Sequence, residues 1–207
     1  MLTAAMVLAV LAAALHVLIF YMESIAWEGP LARKTFGGTP EEARPHAFYA
    51  FNQGFYNLFL ALQALAGVAL AALGHAFVRA GHEIALVGGP VRDAFLGVAP
   101  HDLDLTTSAR PEQTEKILAA WGETTWDVGR AFGTIGARKG STIVEVTTYR
   151  TEAYEVGSRK PQVTYGDTLT GDLTRRDFTV NAMALRLPDL ELVDPCGGLA
   201  DLAAGVL

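Results

Sequence analysis

Two long stretches without a full charge constrain the fold of this chain more than any other feature. Residues 2–21 read LTAAMVLAVLAAALHVLIFY, and residues 55–73 read FYNLFLALQALAGVALAAL. Each has the length that crosses a bilayer core as a helix, roughly 20 residues at 1.5 Å rise per residue. A cleaved secretory signal would show a basic leader and a shorter apolar run, and the first stretch has neither. A helix apolar on every side needs lipid or a large core around it. Residues 1–75 are therefore expected to form a two-span membrane hairpin that meets the lipid bilayer through 2–21 and 55–73.

The segment between the spans, residues 27–47, is rich in Gly, Pro and charge and reads as an exposed loop. His16 and Glu23 are seven residues apart, which places them on one helix face. Asn52, Gln53, Asn57 and Gln63 supply polar groups to the second span. Polar side chains at membrane depth face another helix or a cavity, so hydrogen bonding between the two helices is the expected role.

From residue 76 the composition changes and strand and helix patterns alternate, which predicts a small mixed α/β unit over 76–207. Strands are expected at EIALVG and DLDLTT, and short helices at GPVRDAFLG, with Pro90 in its first turn, and at ARPEQTEKILAAW. FGTIGARKGSTIVEVTTYR predicts a hairpin around Lys139-Gly140, and RRDFTVNAMALRL a helix followed by a strand. Residues 78–207 hold 13 Lys and Arg against 18 Asp and Glu. That balance excludes a broadly basic nucleic-acid surface on this half. The one cysteine, Cys196, cannot form an internal disulfide.

Four features of this half carry chemistry in combination. Asp102 and Asp104 share a strand face, because side chains repeat every second residue. Carboxylates placed side by side repel each other unless a cation lies between them, and hard oxygen ligands favour Mg²⁺. Gly88-Gly89 opens a helix, where bare backbone N–H groups can meet an anion. Glu145, flanked by Val144 and Val146 on a later strand, is placed for a third carboxylate. Arg175, Arg176, Asp177 and Asn181 are expected to cluster over two helical turns, an arginine fork for phosphates beside acceptors for sugar hydroxyls. Paired carboxylates with a phosphate cradle point to metal-assisted phosphoryl or nucleotidyl transfer.

GGPVRD, DLDLTTSARPE, FGTIGARKG, VEVTTYRTEAY, SRKP, GDLTRRDFTVNAMA and LVDPCGGLADL occur here in one order. In that order they closely resemble the catalytic head of bacterial CCA-adding tRNA nucleotidyltransferases, in the class that includes bacterial poly(A) polymerases. The resemblance implies a polymerase-β-type nucleotidyltransferase head with a small mixed sheet. It implies Asp102 and Asp104 as catalytic metal ligands for Mg²⁺ and Glu145 as a third catalytic carboxylate. It assigns Gly88, Gly89 and Arg92 to the triphosphate, and Arg176, Asp177 and Asn181 to the ribose of CTP or ATP. The partner is then the 3′ end of tRNA. Arg150 and Arg159 become loop contacts, while His101 and Cys196 take structural places. HVLIFYMES, RKTFG and NQGFYN are similar to the opening half of a family of small bacterial integral membrane proteins without assigned function.

In the resembled enzymes a Glu/Asp-Asp-x-x-Arg motif reads the incoming base, and this sequence does not contain it. Weak or no CCA addition by this chain alone is the expectation. The alternative is a non-catalytic membrane fusion fragment with an inert head. Arg33, Lys34 and Arg44 between the spans would by charge alone place that loop in the cytoplasm. Nucleoside triphosphates and tRNA are cytoplasmic, and on that chemistry the head is expected there instead, attached to the inner membrane.

Overall fold

The computed structural model of the chain describes residues 3–98, 102–153 and 162–206. The chain divides into two units, Met1–Ala69 and Leu70–Leu207. His101 and Arg159, with the rest of the SRKP run, lie outside the described residues.

In the first unit, Thr3 caps α1 (Ala4–Phe20) by accepting from the Met6 amide, and the helix continues through a π-turn at Tyr21–Ile25. The segment expected to be an exposed loop contains two short helices instead, α2 (Pro30–Phe36) and α3 (Pro40–Ala43). Their cause is local. Each begins with proline in its first turn, and Thr39 and Glu42 form a reciprocal capping box at the second. Arg33 stacks over the Trp27 ring at 4.1 Å, and the Trp27 indole donates to the Ala43 carbonyl at 2.8 Å.

α4 (Ala47–Arg79) carries the second apolar stretch. Asn57 is buried on it and joins His16 of α1 to Glu23 of the π-turn. Its Oδ1 lies 2.7 Å from His16 Nδ1, and its amide donates to Glu23 Oε2 at 2.9 Å. The expected hydrogen bonding between helices runs through Asn57 and through the Ser24 hydroxyl, which donates to the Phe51 carbonyl at 2.9 Å, while Asn52, Gln53 and Gln63 are exposed. The segments Ala4–Ile25 and Pro40–Arg79 are long and apolar enough to cross a membrane, and few of their side chains are buried. Leu8, Leu11, Phe48 and Tyr49 are each more than 60 % exposed, an apolar surface that water solvates poorly.

The second unit is a mixed α/β fold. β1 (Ile84–Val87) is buried along its whole length, as expected of a central strand apolar on both faces. It is followed by α5 (Gly89–Phe95), β2 (Leu103–Thr107), α6 (Pro111–Trp121) and β3 (Thr124–Trp126). Thr114, Leu118 and Trp121 form the buried face of α6. β4 (Thr134–Lys139) and β5 (Thr142–Thr148) make the expected hairpin. Its turn falls on Gly140-Ser141, one residue later than predicted, because Lys139 still pairs with Thr142 and Gly140 supplies the positive φ. Gly136 leaves room for the Trp126 ring of the adjoining strand, where a Cβ would overlap it.

β6 (Arg150–Ala153) and β7 (Gln162–Tyr165) form a separate antiparallel pair. α7 (Leu169–Thr174), β8 (Ala184–Arg186), β9 (Glu191–Val193) and α8 (Gly198–Ala204) complete the chain. The main sheet runs β3-β4-β5-β2-β1-β8-β9, antiparallel except where β2 lies parallel to β5. Its core beside the site combines Ala85, Val87, Tyr149, Leu169, Leu173, Ala182 and Ala184, with Cys196 packed against it as a free thiol.

One expectation fails in this unit. The run from Arg175 to Asn181 is not one helix: α7 ends at Thr174, Phe178 is extended, and a short 3-10 turn covers Thr179–Asn181. Tertiary contacts override the local pattern. Thr179 donates to Asp201, and Gly198 packs so closely on the Thr179 carbonyl that a Cβ would overlap it.

Candidate active site

The parallel pairing of β2 with β5 builds the acidic half of the site. Asp104 is the second residue of β2, and its register partner on β5 is Glu145. Asp102 immediately precedes the strand. All three carboxylates are exposed, so they reach solvent at the sheet end rather than the core. Partial burial of the Asp104 carboxyl pushes it above the usual carboxylate range. The Arg176 guanidinium pulls it back and the neighbouring Asp102 charge pushes it up, so both groups are close enough to act on it.

The cationic half comes from the start of β6 and the end of α7. A cavity of about 280 Å³ is lined by Asp104, Thr106, Glu145, Arg150, Arg175 and Arg176, among others. A second, of about 320 Å³, is lined by Arg150, Arg175, Arg176, Asp177, Phe178 and Asn181. The three arginines line both, with the sheet carboxylates in one and the polar pair Asp177 and Asn181 in the other. That is an elongated cleft with the sheet carboxylates at one end, cations in the middle and the acceptors Asp177 and Asn181 beyond.

Asp172 holds the cations in place, and sequence reasoning assigned it no role. Its carboxylate is 1 % exposed and takes five hydrogen bonds. Oδ1 accepts from the Arg150 amide at 3.0 Å and from Arg175 at 3.1 and 2.8 Å; Oδ2 accepts from Arg176 at 3.3 Å and from the Thr106 hydroxyl at 3.2 Å. Burial alone would raise this carboxyl, but the Arg175 hydrogen bond, the Arg150 amide and the two guanidinium charges outweigh it and hold the group below the usual range. Arg150 is itself lowered, by burial first and then by Arg175 beside it. The readable signal was spacing, since Asp172 stands three and four residues before Arg175 and Arg176 on one helical turn.

The glycine corner closes the cleft. Gly88 has φ +72° and ψ −134°, a conformation that glycine alone adopts without strain, and its amide donates to the Met183 carbonyl at 3.2 Å. Arg92, one turn into α5, donates to Asn181 Oδ1 at 2.9 Å and pairs with Asp93 at 2.7 Å. The structure therefore brings Gly88, Gly89, Arg92, Asn181 and Arg176 to one end of the sheet. Asp177 lines the same cleft and is exposed.

Among the described residues, no group of three or more His, Cys, Asp and Glu side chains forms a metal cage. A hard divalent cation in a phosphoryl-transfer site needs none, because one or two carboxylates and the substrate phosphates hold it. Asp102 and Asp104, whose mutual repulsion a cation would relieve, fit that donor set.

Comparisons with known proteins identify relatives of this fold. Residues 84–207 match the family described as the poly A polymerase head domain. Residues 10–91 match a family of proteins of unknown function (DUF1304), and the two matches overlap at 84–91. The chain is 45 % identical over 124 residues to a CCA-adding enzyme of Streptococcus suis, across 59 % of this chain and 30 % of that protein. Among solved structures, it is similar to the Bacillus stearothermophilus CCA-adding enzyme in complex with CTP, at 36 % identity and a TM-score of 0.53, covering 64 % of this chain and 31 % of that one. A tRNA nucleotidyltransferase complexed with a primer tRNA and an incoming ATP analog gives 30 % identity and a TM-score of 0.51, covering 63 % and 36 %. The chain thus spans about a third of the length of the relatives it matches. Because that family's model matches more than half of its residues, the chain belongs to the poly(A) polymerase head-domain family.

Proposed function

We propose that residues 76–207 form the catalytic head of a Mg²⁺-dependent nucleotidyltransferase that adds CMP and AMP to the 3′ end of tRNA. The observation that carries this reading is the position of Asp104. It has Asp102 beside it, Glu145 opposite it on the parallel strand and Arg176 acting on it across the cleft. Two of the relatives named above are CCA-adding enzymes, one of them solved with CTP, and the third is a tRNA nucleotidyltransferase solved with a primer tRNA and an ATP analog.

In this reading Asp102 and Asp104 hold Mg²⁺, which when bound lowers the pKa of the attacking hydroxyl and neutralises the triphosphate. Gly88, Gly89 and Arg92 cradle the triphosphate of CTP or ATP. Arg176, Asp177 and Asn181 orient the ribose, with Arg92 and Asn181 already joined by a hydrogen bond. Glu145 adds negative charge beside Asp104 and orients the groups around it. The tRNA 3′-hydroxyl gives up its proton to solvent as its oxygen forms a bond to the α-phosphorus, the bond from that phosphorus to the bridging oxygen breaks, and pyrophosphate leaves. Incubation of the chain with Mg²⁺, labelled CTP and CCA-lacking tRNA tests this directly. Incorporation that disappears in Asp104→Asn supports it; no incorporation, and no Mg²⁺-dependent binding of CTP, would mark the head as inert.

We also infer that residues 1–75 cross the inner membrane as a two-span hairpin with the head in the cytoplasm. The supporting observation is the apolar, largely unburied surface of Ala4–Ile25 and Pro40–Arg79. Protease protection of the head in right-side-out vesicles, and its digestion in inverted ones, is the expected result.

A further inference from the structure

The head unit contains a further cavity, of about 490 Å³, lined by Ala72, Ala76, Arg79, Lys116, Ile117, Ala120, Trp121 and Lys139. It uses none of the residues of the nucleotide cleft. Ala72, Ala76 and Arg79 are spaced to share one face of α4, while Leu73 and Phe77 on the neighbouring face are fully buried. The floor is apolar and the rim has three cations. Lys139 donates to the Trp121 carbonyl at 3.0 Å and lies 5.4 Å over its ring, leaving further ammonium donors for a ligand. Arg79 and Lys116 are exposed, and no Asp or Glu is among the lining residues.

We propose that this cavity binds the headgroup of an anionic phospholipid. The inference rests on the membrane hairpin and adds a specific lipid site to it. No Lys, Arg, Asp or Glu occurs between Arg44 and Arg79, so Arg79 is the first full charge after the second span. If that span ends near residue 73, Arg79 stands about 9 Å further along the same helix. The polar layer on each side of a bilayer is roughly 5–8 Å deep. Ala72 then falls where acyl chains end and Ala76 within the headgroup layer, while Arg79, at its outer edge, has a side chain long enough to reach back to the phosphates. Lys116 and Lys139 complete a cationic rim around an apolar floor, the chemistry that takes a phosphodiester together with the first carbons of its chains. An RNA backbone would match the cations but not the apolar floor.

The test uses the full chain reconstituted in nanodiscs of phosphatidylcholine alone or mixed with phosphatidylglycerol, then released for native mass spectrometry. The wild-type chain should retain phosphatidylglycerol in preference to phosphatidylcholine. The triple variant Arg79→Gln, Lys116→Gln, Lys139→Gln should lose that preference by about five-fold per charge removed. Arg79→Lys with Lys116→Arg should keep it, which separates lost charge from a damaged fold. An unchanged preference in the triple variant would overturn the lipid site and leave the hairpin standing. Failure of the chain to insert into either nanodisc would overturn both. RNA oligonucleotide binding that depends on these three residues, without a lipid preference, would assign the cavity to RNA and also defeat the proposal.

Discussion

Gly88 lies against Arg176: a Cβ built on Gly88 would come within 3.1 Å of the Arg176 Nη1. Arg176 is also the cation that pulls on Asp104 and one of the two guanidinium groups tied to Asp172. The glycine turn is thus more than a flexible corner ahead of α5. It leaves space for the guanidinium that links the acidic and cationic halves of the cleft.

Gly88→Ala should therefore damage the site twice. The positive φ of +72° would cost about 1–3 kcal/mol in a non-glycine residue. The added methyl would also displace Arg176 from its position near Asp104. The expected outcome is a lower thermal midpoint together with a raised KM for CTP, both measured on the full chain in detergent. Gly97→Ala, which also has positive φ but meets nothing within 4 Å, should lower the midpoint without raising KM.

Asp104→Asn is expected to stabilise the fold while abolishing activity. The raised carboxyl is a penalty on the folded state above its folded pKa, and the penalty fades as pH falls through that value. Removing the charge removes the penalty. In metal-free buffer at neutral pH the variant should melt at a higher temperature than wild type, and Mg²⁺ should no longer stabilise it. Turnover should fall by on the order of 10²-fold or more. A thermal midpoint that falls in metal-free buffer would contradict this account of Asp104. Glu145→Gln should cost less activity, because Glu145 is one strand removed from the pair.

Asp172→Ala tests the positioning of the arginines. It would leave two guanidinium groups and the Arg150 amide without their common acceptor. Loss of one member of a buried pair costs about 3–5 kcal/mol, which unfolding in urea would measure. The pH dependence follows from the depressed carboxyl. Its stabilisation is fully present above the unfolded-state value of about 3.9 and is lost as pH falls below that through the folded value. Wild type should lose stability in that acidic range, and Asp172→Asn should show a shallower loss there. Equal acid profiles for the two would show that Asp172 does not carry the effect.

The two central strands around the site and the helix over Pro111–Trp121 were legible because local pattern decides them. IALV is apolar throughout and DLDLTT places its acids two apart, and both became the predicted strands. The neighbour of Asp104 was only half legible. Glu145 stood out between two valines, but its place beside Asp104 depends on a parallel pairing across about forty residues of sequence, which no local period encodes. Asp172 was missed for the opposite reason. Its spacing to Arg175 and Arg176 is plain, yet the same spacing occurs in countless surface salt bridges, and only burial distinguishes it. The helix expected across Arg175–Asn181 failed where Thr179 is claimed by Asp201 and α8, a contact the local pattern cannot contain.

Asn57 makes the last prediction, and it concerns the first unit alone. This one side chain serves His16 at 2.7 Å and Glu23 at 2.9 Å, while its own amide also donates to the Gln53 carbonyl at 3.1 Å. Asn57→Leu keeps the volume and removes the acceptor and donor together, leaving two polar groups of α1 and its π-turn without their shared partner. Within a membrane such bonds contribute about 1–2 kcal/mol at most, since the separated helices find other partners. The variant should therefore still insert but unfold more readily in a denaturing detergent such as sodium dodecyl sulfate. Gln63→Leu, at an exposed position on the same helix, should leave that resistance unchanged. If both substitutions behave alike, the Asn57 bridge contributes nothing to helix association, and the hairpin is held instead by the Ser24–Phe51 hydrogen bond and by apolar packing such as the edge contact of Phe20 with Phe55 at 5.4 Å.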